Sequence, residues 1–344
     1  LFQDITVEEL LRLQESKELA IVDVRSPSEF ADGTIPGCRN VPIFDDAERA
    51  EIGTIYKQVS AQAAKDRGLE IVSAKLPSFV KTFEQIPGQK AVFCWRGGMR
   101  SKTTATVLSL MGIRAYRLTG GFRAYRKWVV ETLEHFDFKP PAYVVNGNTG
   151  SGKTEILRRL RAEGYPVLDL EALAGHRGSI FGHIGLPGHN QKTFESHLAA
   201  ELIKLNDAPY VLMEGESKRI GKAVMPDFLV KKKEAGTQLF IEMPVPERVR
   251  NIIADYRPVE HQEEVLQAFR HIKDRIHTPV AKEIEDHLQQ QQYEPAVRLL
   301  LDYYYDPRYE HAIGRYEQER VTIRARHVVE AVSAIKKYLS ERTK

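Results

Sequence analysis

Cysteine is nearly absent: Cys38 and Cys94 are the two in 344 residues, and they form no CxxC pair. That excludes a disulfide framework and a zinc ribbon, and leaves each thiol a candidate nucleophile in a reducing compartment. The eleven histidines show no HExxH or comparable spacing, so neither a structural nor a catalytic transition metal is expected. No apolar run approaches the roughly 20 residues that span a bilayer. The opening LFQDITVEELLRL is too acidic and amphipathic for a signal peptide, so a cytoplasmic location without a membrane partner is expected. Neither sign of charge dominates: 50 Lys and Arg against 47 Asp and Glu give a net +3, which permits a polyanionic partner without requiring one.

What is present is an α/β pattern, repeated. LAIVDVR (19–25), KAVFCW (90–95) and RAYRL (114–118) read as buried strands with a helix from Ser101 to Met111 between the last two, hence a parallel sheet. FRAYRKWVVETLEHF (122–136) is an amphipathic helix broken by DFKPPAY, where a domain boundary belongs. A second run of strands follows at AYVVN (142–146), PVLDL (166–170), YVLMEGE (210–216) and TQLFIEM (237–243); from Pro246 onward only helices are expected. The expected fold is therefore α/β, with domains at 1–138 and 139–245 and a helical extension over 246–344.

Within this frame, FCWRGGMRS (93–101) sets Cys94 at the end of a strand and the start of a turn. A cysteine there is commonly a small buried hydrophobe. The neighbours argue for more. Gly97 and Gly98 let the chain curl so that the N–H groups of Trp95 through Ser101 converge, the helix that follows adds its positive end, and Arg96 and Arg100 add charge beside Met99. Such a cradle favours a thiolate and holds a tetrahedral oxyanion. Cys94 to Arg100 is also the Cys-X5-Arg spacing of cysteine phosphatases, although Phe93 stands where those enzymes usually carry histidine.

A second anion loop follows. GNTGSGKT (147–154) satisfies G-x-x-x-x-G-K-[ST] between an apolar strand and a helix, the setting this phosphate loop requires. The backbone of Gly147, Asn148, Thr149, Gly150, Ser151 and Gly152 would wrap a diphosphate, Lys153 would reach its terminal oxygens, and Thr154 would offer its hydroxyl to Mg²⁺. The loop reads phosphates only, so ATP, GTP and a non-nucleotide diphosphate ester remain equally compatible. Asp169 and Glu214, at strand ends, are candidates for metal or base work. The glycine-rich stretch 175–195 reads as a substrate loop with Arg177 and His183 as anion or base contacts. Basic clusters at 217–222, 231–233 and 248–250 are candidate nucleic-acid contacts, as are Tyr303, Tyr304 and Tyr305 for stacking.

VDVRSPSEFADGTIPGCRNVP (22–42) and YRLTGGFRAYRKW (116–128), taken with the cysteine loop, resemble a rhodanese domain over residues 4–135. The match is to the pattern DVR-x-x-x-E-F-x-x-G-H-I-P-G-A-x-N-x-P, with Thr34 and Cys38 where His and Ala are usual. The resemblance implies a sulfur- or selenium-handling Cys94, a structural pair of Asp23 and Arg25, a supporting contact from Glu29, and a merely packed Cys38. The Cys94 loop is one residue longer than the ordinary sulfurtransferase pattern, which suits a bulkier donor.

With DLEALAGHRGSIFG and MEGESKRIG in the second half, the whole chain resembles the tRNA 2-selenouridine synthases. That resemblance implies a transferase replacing sulfur by selenium in the wobble 2-thiouridine of a tRNA anticodon. It further implies selenophosphate as donor, an S-geranyl intermediate made from geranyl diphosphate, no organic cofactor, optional Mg²⁺, and the selenophosphate-producing enzyme as a partner. The rivals are a Cys-X5-Arg phosphatase fused to an ATP-dependent kinase, a sulfurtransferase of tRNA thiolation, and a non-catalytic scaffold.

Overall fold

The structure, a computed structural model, describes residues 2–15, 19–308 and 320–342. The chain divides into two units, Leu1–Phe136 with Glu195–Ala199 and Asp137–Phe194 with Ala200–Lys344, each organised on an all-parallel five-stranded sheet. In the first, strands β1 (Gln3–Ile5), β2 (Leu19–Asp23), β3 (Arg39–Asn40), β4 (Gln89–Phe93) and β5 (Ala115–Leu118) pair in the order β1-β5-β4-β2-β3. Parallel pairing demands crossover helices, and these are α1 (Val7–Glu15), α2 (Pro27–Ala31), α3 (Asp46–Gln58), α4 (Ala61–Glu84), α5 (Met99–Leu110) and α6 (Gly121–Glu134). Covered on both faces, the central strands have apolar cores: Ile21, Val22, Ala91, Val92 and Phe93 are all buried. Val22 lies opposite Val92 and Asp23 opposite Phe93, so Cys94 emerges at the carboxyl edge of the sheet beside the Asp23 turn.

The second unit repeats the logic with β6 (Ala142–Gly147), β7 (Val167–Leu168), β8 (Val211–Glu214), a small ribbon of β9 (Arg219–Ile220) and β10 (Ala223–Val224), and β11 (Thr237–Glu242). Helices α7 (Lys153–Ala162), α8 (Leu170–Ala174), α9 (Gln191–Leu205) and α10 (Asp227–Ala235) connect them. β6 is central: the chain goes first to the edge strand β7, returns to β8 between β7 and β6, then crosses to β11 on the other side. That reversal opens a crevice at the carboxyl end of β6, where ligands of open α/β sheets bind.

Beyond β11 the structure corrects the sequence reading. Helices α11 (Val245–Tyr256), α12 (Gln262–Arg270), α13 (Thr278–Gln289) and α14 (Tyr293–Leu300) do follow, the last continued by a π-helical turn over Leu301–Tyr305. They are not a terminal extension. Residues Arg320–Arg324 form β12, paired in parallel with β11 from Gln238↔Arg320 to Glu242↔Arg324. The closing helix Val328–Arg342 then buries Val332, Ile335 and Leu339 in the same core as Val145 and Leu157. RVTIR escapes a search for apolar runs because it is an edge strand: of its residues only Ile323 is buried, and the others face out or sit partly covered.

Candidate functional site: a thiol loop and a phosphate loop

Cys94 is buried, its Sγ 3.2 Å from Ser101 Oγ in the first turn of α5. The turn before α6 closes the loop from behind, because Phe122 N donates to Cys94 O at 2.8 Å and Arg123 N to Trp95 O at 2.9 Å. This approach requires glycine: Gly121 has φ +59, and a Cβ there would stand 2.2 Å from Cys94 O and 2.5 Å from Gly97 N. Gly97 is also left-handed, whereas Gly98 has an ordinary φ and open space where a Cβ would be, so the curl rests on Gly97 alone. Trp95 and Met99 are exposed at the rim, as is Arg96.

Arg100 is paired across the unit. Its guanidinium chelates Glu29, with Nη2 at 3.0 Å from Oε1. Burial alone would raise the Glu29 pKa, but the Arg100 hydrogen bond and charge outweigh it and hold the carboxyl below its usual range. Asp23 and Arg25 form a fully buried pair, with Arg25 Nη2 2.6 Å from Asp23 Oδ2 and the guanidinium 4.2 Å from the Phe122 ring centroid. Thr34, which stands where histidine is usual, donates to Asp23 Oδ2 at 2.8 Å. Cys38 lies 2.9 Å from that hydroxyl, and burial pushes its thiol up to about 12, so it is a packed and unreactive group. One contributor escaped the sequence reading. Arg117 binds Asp4 through two nitrogens and donates to Gly97 O at 3.1 Å, bracing the loop from β5.

In the second unit the phosphate loop runs from β6 into α7, and Lys153 Nζ rests 3.2 Å from Gly147 O. Gly150, with φ +82, passes so close to Arg248 that a Cβ would lie 2.6 Å from its carbonyl oxygen. Arg248, read in the sequence as one of a surface cluster, is buried. It donates to Thr149 O at 2.8 Å and binds both carboxylate oxygens of Asp306, so it anchors the loop from outside. The Ser151 hydroxyl is buried with no hydrogen-bond partner. In front of the loop opens a cavity of about 810 Å³ whose walls include Lys153, Thr154, Glu171, Glu216 and Asn251.

The carboxylates on this cavity are not the expected pair. Asp169 caps α8 by accepting from Ala172 N at 2.8 Å, and Glu214 is fully buried, accepting from Leu170 N at 2.8 Å. Burial, then the neighbouring charges of Asp169 and Glu171, raises Glu214 well above the carboxylate range. Both groups fix the start of α8, and α8 carries Glu171 to the phosphate loop, where Thr154 donates to its Oε2 at 2.6 Å. Burial and the charge of Glu216 push Glu171 up to about 8 against the opposing pull of Thr154 and Lys153. Sequence offers Glu171 and Glu216 beside that pair: Asp169 is the N-cap of α8 and Glu171 lies within it, while Glu214 closes β8 and Glu216 stands two residues beyond. Among the described residues no three acidic, histidine or cysteine groups gather as a ready cation cage.

Arg177 lines the same cavity, but its guanidinium is engaged by Ile184 O, Asp255 and the Tyr256 ring. It pins the substrate loop rather than reaching out of it. His183 is exposed and is not on the cavity wall. The basic clusters are partly spent as well: Lys218 pairs with Asp227, Arg250 with Glu247, and buried Lys233 donates to Glu216 O. Of the tyrosine triplet, Tyr303 is exposed, Tyr304 is buried and Tyr305 lines the cavity. Among the described residues no helix is long and apolar enough to cross a membrane.

A thiol-loop sheet followed in one chain by a phosphate-loop sheet defines a two-domain class, rhodanese-like and then P-loop. Comparison with known proteins agrees: the rhodanese-like domain family matches residues 6–127, and the tRNA 2-selenouridine synthase AAA domain family matches residues 140–274. The tRNA 2-selenouridine synthase of Nitrosomonas europaea is 36% identical over 80% of this chain and 74% of its own length. That of Shewanella piezotolerans is 32% identical over 90% and 92%. A solved rhodanese-related protein of Thermoplasma volcanium is similar to 38% of this chain over 93% of its own, with 20% identity and a TM-score of 0.24. The chain belongs to the tRNA 2-selenouridine synthase family.

Proposed function

We propose that the protein is a transferase acting on tRNA, which replaces the 2-thio sulfur of a wobble 2-thiouridine in the anticodon by selenium. The observation that carries this reading is the presence in one chain of two different anion loops, one headed by Cys94 and one built from the amides of residues 147–154. Each loop suits one of two successive displacements.

In the first, the thiocarbonyl sulfur attacks C1 of geranyl diphosphate; the C–S bond forms, the C–O bond breaks, and the N3 proton of the thiouridine passes to solvent. The diphosphate leaves into the phosphate loop, where backbone N–H groups and Lys153 stabilise its growing charge. Thr154, hydrogen-bonded to Glu171, offers hydroxyl oxygen to Mg²⁺, a hard cation that would neutralise the departing oxygens when bound. In the second displacement, selenium of selenophosphate attacks C2, the C–S bond breaks and geranyl thiolate departs; water then takes the phosphoryl group from selenium. The Cys94 cradle receives the selenophosphate tetrahedron, with the α5 N-terminus behind it. Alkylation is what makes the sulfur a competent leaving group. No organic cofactor is required for either step. The selenophosphate-producing enzyme is the partner that would supply the donor.

The phosphatase rival needs an arginine on the phosphoryl oxygens, and Arg100 would have to share its guanidinium with Glu29. Incubating the protein with thiolated tRNA, geranyl diphosphate and selenophosphate, singly and together, and weighing the nucleosides tests the proposal. S-geranyl-2-thiouridine with the prenyl donor alone, and 2-selenouridine with both, is the expected result; phosphate release from ATP with no change in the nucleosides would reject it. Cys94→Ser should abolish selenium transfer while sparing geranylation, and a variant that still makes 2-selenouridine at the normal rate removes Cys94 from the chemistry.

A further inference from the structure

Against the phosphate loop lies a second, narrow hollow of about 50 Å³, walled by Phe181, Val265 of α12, Val297 of α14 and Leu301. It adjoins the phosphate cavity, because Thr149, Ile252, Tyr256 and Tyr305 line both spaces. The two differ sharply in chemistry. One presents Lys153, Arg158 and carboxylates, the other almost nothing but carbon. Building on the function proposed above, we propose that this hollow receives the apolar tail of the diphosphate ester held by the phosphate loop, and that Val297 and Leu301 set the tail length accepted.

A nucleoside is a poor occupant. Its base edges would give up hydrogen bonds to water and find almost no replacement among these side chains. Among the described residues of the wall, the one buried oxygen without a partner is Tyr293 Oη, too little to satisfy a base. A branched hydrocarbon tail, by contrast, gains from every methylene removed from water. At rest the hollow holds only a few water-sized spheres of roughly 10–15 Å³ each, so a ten-carbon tail must widen it. Tyr305 is placed to allow this: it is partly buried, common to both spaces, and carried on the π-helical turn, where the regular helical ladder is interrupted.

The test is calorimetry on the full chain with inorganic diphosphate, dimethylallyl, geranyl and farnesyl diphosphates, and ATP. Wild-type protein should bind geranyl diphosphate more tightly than inorganic diphosphate or the five-carbon ester. Val297→Phe, which fills the hollow, should cut geranyl diphosphate affinity by about tenfold or more while leaving inorganic diphosphate unchanged. Leu301→Ala should move the preference toward the fifteen-carbon ester. Inorganic diphosphate binding reports whether each variant has folded; if Val297→Phe fails that check, Leu301→Ala decides. If geranyl diphosphate binds wild-type protein no better than inorganic diphosphate, both the prenyl donor and this site are rejected. If it binds better and neither variant changes the margin or the tail preference, the site alone is rejected.

Discussion

Replacing Glu171 by glutamine probes the least ordinary charge on the phosphate cavity. Glu171 Oε2 accepts from Thr154 at 2.6 Å, and the buried carboxyl is displaced from its ordinary 4.5 to about 8. An acid whose folded pKa lies above its unfolded value keeps a proton on folding that the unfolded chain releases. Stability is then undiminished below about pH 4.5, falls as the pH climbs toward 8, and stays reduced above it. At about 1.4 kcal/mol per pH unit, the displacement corresponds to at most roughly 5 kcal/mol withheld from the second unit at alkaline pH. Glutamine keeps the shape and the oxygen that Thr154 needs but cannot ionise. Glu171→Gln should therefore match wild-type protein at pH 5 and exceed it at pH 8.5 by a few kcal/mol, about 10 °C in melting temperature for a unit of this size. Calorimetry from pH 5 to 9 measures this. Tryptophan fluorescence supplies an internal control, since Trp95 and Trp128 both lie in the first unit and their transition should not move. Parallel melting curves for variant and wild type across that range would refute the assignment of a raised Glu171.

Two other outcomes follow from the braces behind the loops. Gly121→Ala should destabilise the first unit by more than the ~1–2 kcal/mol of a left-handed backbone, because its Cβ would also meet Cys94 O at 2.2 Å. The tryptophan-monitored melt should fall while diphosphate binding persists, and an unchanged melt would contradict the closeness of that turn. Arg248→Ala should cost about 3–5 kcal/mol and weaken diphosphate binding, since it strands Asp306 and frees Thr149 O. Arg248→Lys should not restore binding, because an ammonium cannot serve both partners in the guanidinium's geometry; full rescue would show that charge alone is needed.

Both loops are legible in the sequence because their signals are local. GNTGSGKT between strand and helix, and Cys94 ahead of two glycines and a helix, need only neighbouring residues to declare themselves. What stays hidden depends on partners far along the chain. Arg100 looks like a substrate ligand until Glu29, 71 residues earlier, closes on it. Arg248 looks like surface charge until it is seen beneath Thr149, 99 residues away. The exchange of Asp169 for Glu171 turns on the phase of one five-residue helix, which no periodicity over so short a stretch resolves, and that of Glu214 for Glu216 on where β8 ends. β12 was missed for a different reason, as its half-exposed alternation with arginine at both ends resembles a charged helix face.

The late return of β12 separates the two halves of the chain during synthesis. All five strands of the first sheet have emerged by Leu118, so that domain can complete its hydrogen bonding while still tethered to the ribosome. The second must wait: β11 ends at Glu242, and its outer backbone edge gains a neighbour only when residues 320–324 appear. For that interval it presents an open, apolar strand to every nascent chain nearby. The arginines at both ends of β12 and the charge pair between Arg324 and Glu242 then bury little and cost little, which suits a seam sewn last.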